Sequence, residues 1–245
     1  MKNILILHIP KTGGNSLQNY FSKLEGFNSY SIGHDIKNCK NGGDIKLFVN
    51  GKCVTKSKID NLNNFFKITI IRNPYDRIVS QYKFNVTTVK KNLKMFELAK
   101  KNYNKTLNKI DFKFRKKIFC EIFDDWQTDD NKINSKTLQN KKFYIDQLNE
   151  LEDLGFKNWI KKYGKIHNYK YKKYVDKADF VIKIENIIED LKKLKEILNI
   201  KSDLEFPHLI KSDRKSNYGE YYDKETKEFV YDLYKQDIDN YDYKF

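Results

Sequence analysis

An α/β fold is predicted: a parallel sheet flanked by helices, with a largely helical excursion in the middle of the chain. Three observations predict it. Strand-length, mostly apolar stretches recur at Ile4 to Ile9, Phe66 to Ile71 and Asp179 to Ile184, and such runs suit strands buried on both faces of a parallel sheet. Each is followed by a polar turn and then by apolar residues at helical spacing. No internal repeat or low-complexity linker interrupts the 245 residues, so the chain reads as one domain.

The first strand, Ile4 to Ile9, ends at Pro10 and Lys11. A glycine loop follows, and a helix is expected to open near Asn15 or Ser16. Leu17, Tyr20, Phe21 and Leu24 fall at i, i+3, i+4 and i+7 on one face, and Gly26 stops that helix. Residues 27 to 64 read as irregular, apart from a hairpin around Asn50-Gly51 flanked by Leu47-Phe-Val49 and Cys53-Val54. After the second strand, Arg72-Asn-Pro-Tyr-Asp-Arg77 leads into a helix holding Ile78, Val79 and Tyr82. Residues 85 to 175 are expected to form a helical lobe, with helical patches at Leu93 to Ala99 and Phe112 to Phe123. Trp126, Phe143, Tyr144, Ile145 and Trp159 there need burial. The third strand leads to a helix with Ile188, Leu191, Leu194 and Leu198 inward, opened by a capping box of Asn186 and Glu189. Phe229, Val230, Leu233 and Tyr234 mark a last helix.

The net charge of +15 favours anionic partners. Most of it is diffuse lysine, which a compositional bias explains as well as a binding surface does. The arginines are only Arg72, Arg77, Arg115 and Arg214. They carry more information, because a guanidinium grips phosphate through paired donors that lysine lacks. Cys39, Cys53 and Cys120 are too scattered for a disulfide framework or a zinc site. Nothing resembles a signal peptide or a membrane span, so the chain reads as soluble and cytoplasmic, with the Golgi lumen open only to a longer form.

Two stretches carry chemistry. In His8-Ile-Pro-Lys-Thr-Gly-Gly-Asn-Ser-Leu17 a strand turns through glycines into a helix start. Backbone N–H groups and the helix N-terminus can hold an anion there, and Lys11 adds a full charge. The loop is P-loop-like but lacks the Walker A order, because Lys11 precedes the glycines. In the second stretch, Arg72 at a strand end and Ser80 in the following helix can grip one phosphate. Taken alone, Arg72 fits an exposed turn equally well, and Arg77 fits the surface.

Together these stretches resemble the two nucleotide-binding motifs of the PAPS-dependent sulfotransferases, the second reading Ile71-Arg-Asn-Pro-Tyr-Asp-Arg-Ile-Val-Ser-Gln-Tyr82. The nearest likeness is to the carbohydrate branch with the heparan sulfate 2-O- and 6-O-sulfotransferases. Val181-Ile-Lys-Ile-Glu185 is similar to the family's late strand, and the ending from Tyr234 to Phe245 to its terminal aromatic signature. The resemblance implies that Lys11, Thr12, Gly13, Gly14, Asn15, Ser16 and Leu17 cradle the 5′ phosphosulfate of PAPS. Asn15 stands where the family usually has threonine or serine. It further implies that Arg72 and Ser80 hold the 3′-phosphate, and that Ser212 and Lys215 belong to a late loop over the nucleotide.

Sulfuryl transfer moves a group of lower charge than phosphoryl transfer, so fixed cations and backbone donors can replace a metal. Lys11 is placed to stabilise the leaving phosphate of PAP, the product. His34 matches the family element that carries the general base, with Asp35 or Glu185 as fallback, while His8 reads as structural. The acceptor is expected to be a carbohydrate hydroxyl, and no specific nucleic acid is implied. The alternatives are a nucleotide or sugar kinase with an atypical phosphate loop, or a basic glycan- or nucleic-acid-binding module.

Overall fold

A computed structural model describes residues 2–32, 43–49, 52–59, 63–106, 141–207, 215 and 217–245, with backbone alone at 32, 43–49, 52–59, 91–106 and 141–148. The described residues form two compact units: Met1–Gln81 with Ile160–Phe245, and Tyr82–Trp159.

The first unit holds a six-stranded sheet. Its strands are β1 (Lys2–Leu7), β2 (Phe27–Ile32), β3 (Gly43–Val49), β4 (Lys52–Ile59), β5 (Phe66–Ile71) and β6 (Phe180–Lys183), in the order β4-β3-β2-β1-β5-β6. From β2 through β1 and β5 to β6 every pairing is parallel, while β3 and β4 extend the sheet as an antiparallel pair. The predicted parallel sheet is therefore present.

Both faces are covered, which explains the continuous apolar strands. Side chains alternate across a strand, so Ile4 and Ile6 join one core while Leu5 and Leu7 join another. On the first face lie helix α1 (Gly14–Ser22), with Leu17, Tyr20 and Phe21, and the helix Ile187–Leu198. On the second face Tyr171 and Tyr174 pack against Leu5, Leu7, Ile9 and Ile71.

Several boundaries differ from the sequence reading. The ladder of β1 stops at Leu7, although Ile9 remains buried, because the chain must turn at Pro10 and Lys11. Helix α1 opens at Gly14, slightly earlier than Asn15. Within 27–64 the expected hairpin is present as β3 and β4, and the difference is β2, a strand where the sequence read as irregular. The polar residues of β2 hid it: Ser29 and Ser31 are buried, and the Ser29 hydroxyl donates to the Gln18 carbonyl at 3.3 Å.

Helix α2 (Pro74–Thr106) runs without a break through the patch Leu93–Ala99, whereas the patch Phe112–Phe123 lies outside the described residues. Helix α3 (Lys141–Tyr163) follows, interrupted by a non-helical Gly155. In the second unit Tyr82, Phe156 and Trp159 pack ring against ring, and Trp159 is buried as its size demands.

After the short helix α4 (Lys172–Val175), β6 leads through a 3-10 turn at Ile184–Asn186 into α5 (Ile187–Leu198). The Asn186 capping box does not form: Asn186 occupies the N-cap position without a side-chain bond. Instead the Asp190 carboxylate in the first turn accepts the Lys183 N–H at 2.8 Å. Within the helix Ile187, at i, i+4, i+7 and i+11 with Leu191, Leu194 and Leu198, takes the core face, which leaves Ile188 82% exposed. A capping box that does form, Asp223 with Thr226, opens α6 (Lys224–Asn240), whose Val230, Tyr234 and Ile238 are buried. Among the described residues no helix is long and apolar enough to cross a membrane.

Candidate active site

In a parallel sheet the carboxyl ends of all strands lie along one edge. Ligands bind where consecutive connections leave a strand in opposite directions. Here that switch lies between β1, whose connection runs through α1 to β2, and β5, whose chain returns at β6 on the other side. The Lys11 loop leaves β1, Arg72 leaves β5, and Glu185 follows β6, so three chemically informative residues stand in a row.

Hydrogen bonds tie the row together. Arg72 Nη1 donates to the Lys11 carbonyl at 3.1 Å, which joins the two motifs across 61 residues of sequence. Arg72 Nε and Nη2 both meet Asp76 Oδ2, at 2.7 and 2.6 Å. The Asn73 N–H donates to Glu185 Oε1 at 2.6 Å. The Asn73 carboxamide then reaches the Tyr218 hydroxyl at 3.3 Å and the Lys244 carbonyl at 2.7 Å. Thus the strand exits, the segment after residue 217 and the end of the chain meet at one asparagine.

The loop itself is built for close approach. Lys11 has φ 66 and Gly13, at the N-cap of α1, has φ 99. A Cβ on Gly14 would stand 2.5 Å from the His8 ring, so His8 packs directly beneath the helix start, as a structural histidine should. The N-cap makes no side-chain bond, and no acidic residue sits in the first turn. Early N–H groups of a helix have no carbonyl partner within it, so this end presents donors and positive potential to an anion. A nucleotide phosphate fits that donor set. Burial, reinforced by the Arg72 charge, lowers the Lys11 pKa to about 8. An anion placed there would relieve both effects.

The other sequence-predicted residues have varied placements. The Thr12 hydroxyl turns inward to the Ile9 carbonyl at 2.9 Å, and Leu17 places its side chain in the core. Asn15 is exposed beside the buried Ser16. Ser80 is buried on α2 one turn beyond Asp76, hence on the same helix face as the partner of Arg72. Lys215 pairs with Glu220 at 2.7 Å, on the segment that leads to Tyr218. His34, Asp35 and Ser212 lie outside the described residues. Glu185, the fallback base, has Oε1 engaged by the Asn73 N–H.

Reading the sequence missed Asp76, Asn73 and Tyr171 as parts of the Arg72 environment. Only Asp76 left a signal, an acid four residues beyond the arginine. Tyr171, whose hydroxyl donates to the Arg72 carbonyl, is 99 residues away in sequence. Arg77 is fully buried, which removes the surface reading left open above.

No curated protein and no solved structure matches the chain. Comparison with protein families gives one match, described as the sulfotransferase family, over residues 1–244. That span takes in both motifs and the sheet that sets them side by side. The chain accordingly belongs to the sulfotransferase family, and it is an enzyme that draws its sulfuryl group from PAPS.

Proposed function

We propose that the row of strand exits is the nucleotide site of a sulfotransferase acting on a carbohydrate hydroxyl without a metal. The observation that carries this reading is the bond from Arg72 to the Lys11 carbonyl, which sets a phosphate loop beside a strand-end guanidinium at the switch point. In this reading the residues from Lys11 to Leu17 cradle the 5′ end of the nucleotide, while Arg72 and Ser80 hold the 3′-phosphate. Ser212 and Lys215 complete the late loop. A single family match spans both compact units, which supports reading them as one domain.

PAPS, when bound, supplies the sulfuryl group and a phosphate leaving group. Lys11 holds a positive charge where negative charge develops, and the α1 N–H groups add fixed dipoles that need no reorganisation. Because these groups already supply positive potential, the reading assigns no role to a metal. His34 accepts the proton from the acceptor hydroxyl. The carbohydrate acceptor is inferred from the resemblance of both motifs to the heparan sulfate enzymes and from the net charge of +15, which suits an acidic glycan.

Calorimetry with adenosine 3′,5′-bisphosphate tests the nucleotide site. Lys11→Ala and Arg72→Ala should each weaken binding by about tenfold to a hundredfold, the scale of one charge-assisted hydrogen-bond set. Unchanged affinity in a folded variant would remove the assignment. His34→Ala should bind the nucleotide normally and lose turnover by about a hundredfold or more, whereas full-rate transfer would move the base elsewhere. Labelled-sulfate transfer over glycans and small alcohols, with and without EDTA, tests acceptor class and metal independence together.

A further inference from the structure

Arg77 belongs to the same motif as Arg72 but takes no part in the site described above. It is fully buried, an expensive place for a charge unless its surroundings use it. Its Nη2 donates to the His167 carbonyl at 3.1 Å, which also accepts the Tyr234 hydroxyl at 3.1 Å. The guanidinium carbon lies 5.7 Å from the Tyr171 ring centroid and 5.1 Å from that of Tyr234, within cation–π range. Tyr171 is completely buried, and its backbone N–H is held by Asp237 Oδ1 at 3.1 Å. Its hydroxyl is shared between the two arginines: it lies in hydrogen-bonding range of the Arg77 guanidinium and donates to the carbonyl of Arg72.

We propose that Arg77 and Tyr171 are positioning residues for Arg72. The buried guanidinium fixes the tyrosine ring, and the tyrosine hydroxyl fixes the backbone from which the 3′-phosphate grip extends. The Arg72 side chain is oriented separately by Asp76 and the Lys11 carbonyl. Glu185 holds the N–H of the Arg72–Asn73 peptide unit, and the tyrosine hydroxyl holds its carbonyl. Preference for a 3′-phosphorylated nucleotide then depends on two side chains that never touch the nucleotide. This inference rests on the reading that Arg72 holds the 3′-phosphate.

The experiment compares two ligands by calorimetry: adenosine 3′,5′-bisphosphate, and adenosine 5′-phosphate, which lacks the 3′ group. Tyr171→Phe removes one oxygen and keeps the ring. It should weaken the bisphosphate by about three- to tenfold, the scale of one hydrogen bond, and leave the monophosphate unchanged. A merely structural role would weaken both ligands equally or neither, and either result overturns the proposal. Arg77→Lys should lower the bisphosphate preference in the same direction. If that variant fails to fold, the tyrosine variant alone decides. Adding Tyr171→Phe to Arg72→Ala should cause no further loss of preference, because the tyrosine acts through the arginine; an additive loss overturns the relay. If Arg72→Ala itself leaves the preference intact, the 3′-phosphate reading falls, and this inference with it. If Arg72→Ala abolishes the preference while Tyr171→Phe does not change it, only the relay falls.

Discussion

The edge of the sheet around Arg72 and the interior around Arg77 hold their cations in opposite ways. Arg72 keeps 17% of its side chain exposed and is bonded to Asp76 through Nε and Nη2 and to the Lys11 carbonyl through Nη1. Arg77 is enclosed by aromatic rings and a backbone carbonyl. One arginine stays in reach of solvent, and the other is shut inside the fold. Five residues of sequence separate an edge charge from a buried one, and residue type alone does not distinguish them. Their surroundings do, and these come largely from remote segments such as those of Lys11, His167 and Tyr234.

Three perturbations test that contrast. Arg77→Met should cost about 3 kcal/mol of folding stability, since it strips the buried His167 carbonyl of a charged donor and removes one of the two cations acting on Asp237. Urea unfolding measures this, and an unchanged midpoint would mean that the interior charge is dispensable. Gly14→Ala acts at the edge. Its methyl group meets His8, and overpacking of this kind costs about 2 kcal/mol. Adding His8→Ala should recover most of that loss, along with nucleotide affinity; no recovery would mean that the helix start is set by something other than this contact.

The smallest expected effect is on pH. Lys11 has its pKa lowered to about 8 by burial and by Arg72. In the free enzyme its charge therefore carries a penalty that is fully present below pH 8. The penalty fades as pH rises through 8 towards the ordinary lysine value, so free-enzyme stability rises in that window. Nucleotide affinity runs the other way, because an anion favours the protonated ammonium: it is full below pH 8 and falls above it by at most about tenfold per pH unit. Calorimetry in buffers of different ionisation enthalpy should show proton uptake at pH 9, and Lys11→Arg should abolish it.

The core strands were legible because burial on both faces forces a nearly unbroken apolar run, as in Ile4, Leu5, Ile6 and Leu7. The site was legible where one short segment carries both backbone geometry and charge, as in the Lys11 loop. What stayed hidden depends on distance or on polar burial. Strand β2 reads as loop because its inward positions include serines bonded within the fold, and Ile188 was misplaced because two adjacent isoleucines compete for one face and Ile187 holds the helical register with Leu191. Asn73 and Tyr171 acquire their roles only when Glu185, Lys244 and Arg72 are brought beside them.

The backbone of Lys11 carries a last consequence. A side chain at φ 66 costs about 1 kcal/mol relative to glycine at the same position, and the ammonium is also partly desolvated. Glycine would suit this turn better on both counts, so folding alone would not select a lysine here. A variant selected only for thermal resistance would be expected to lose this lysine early.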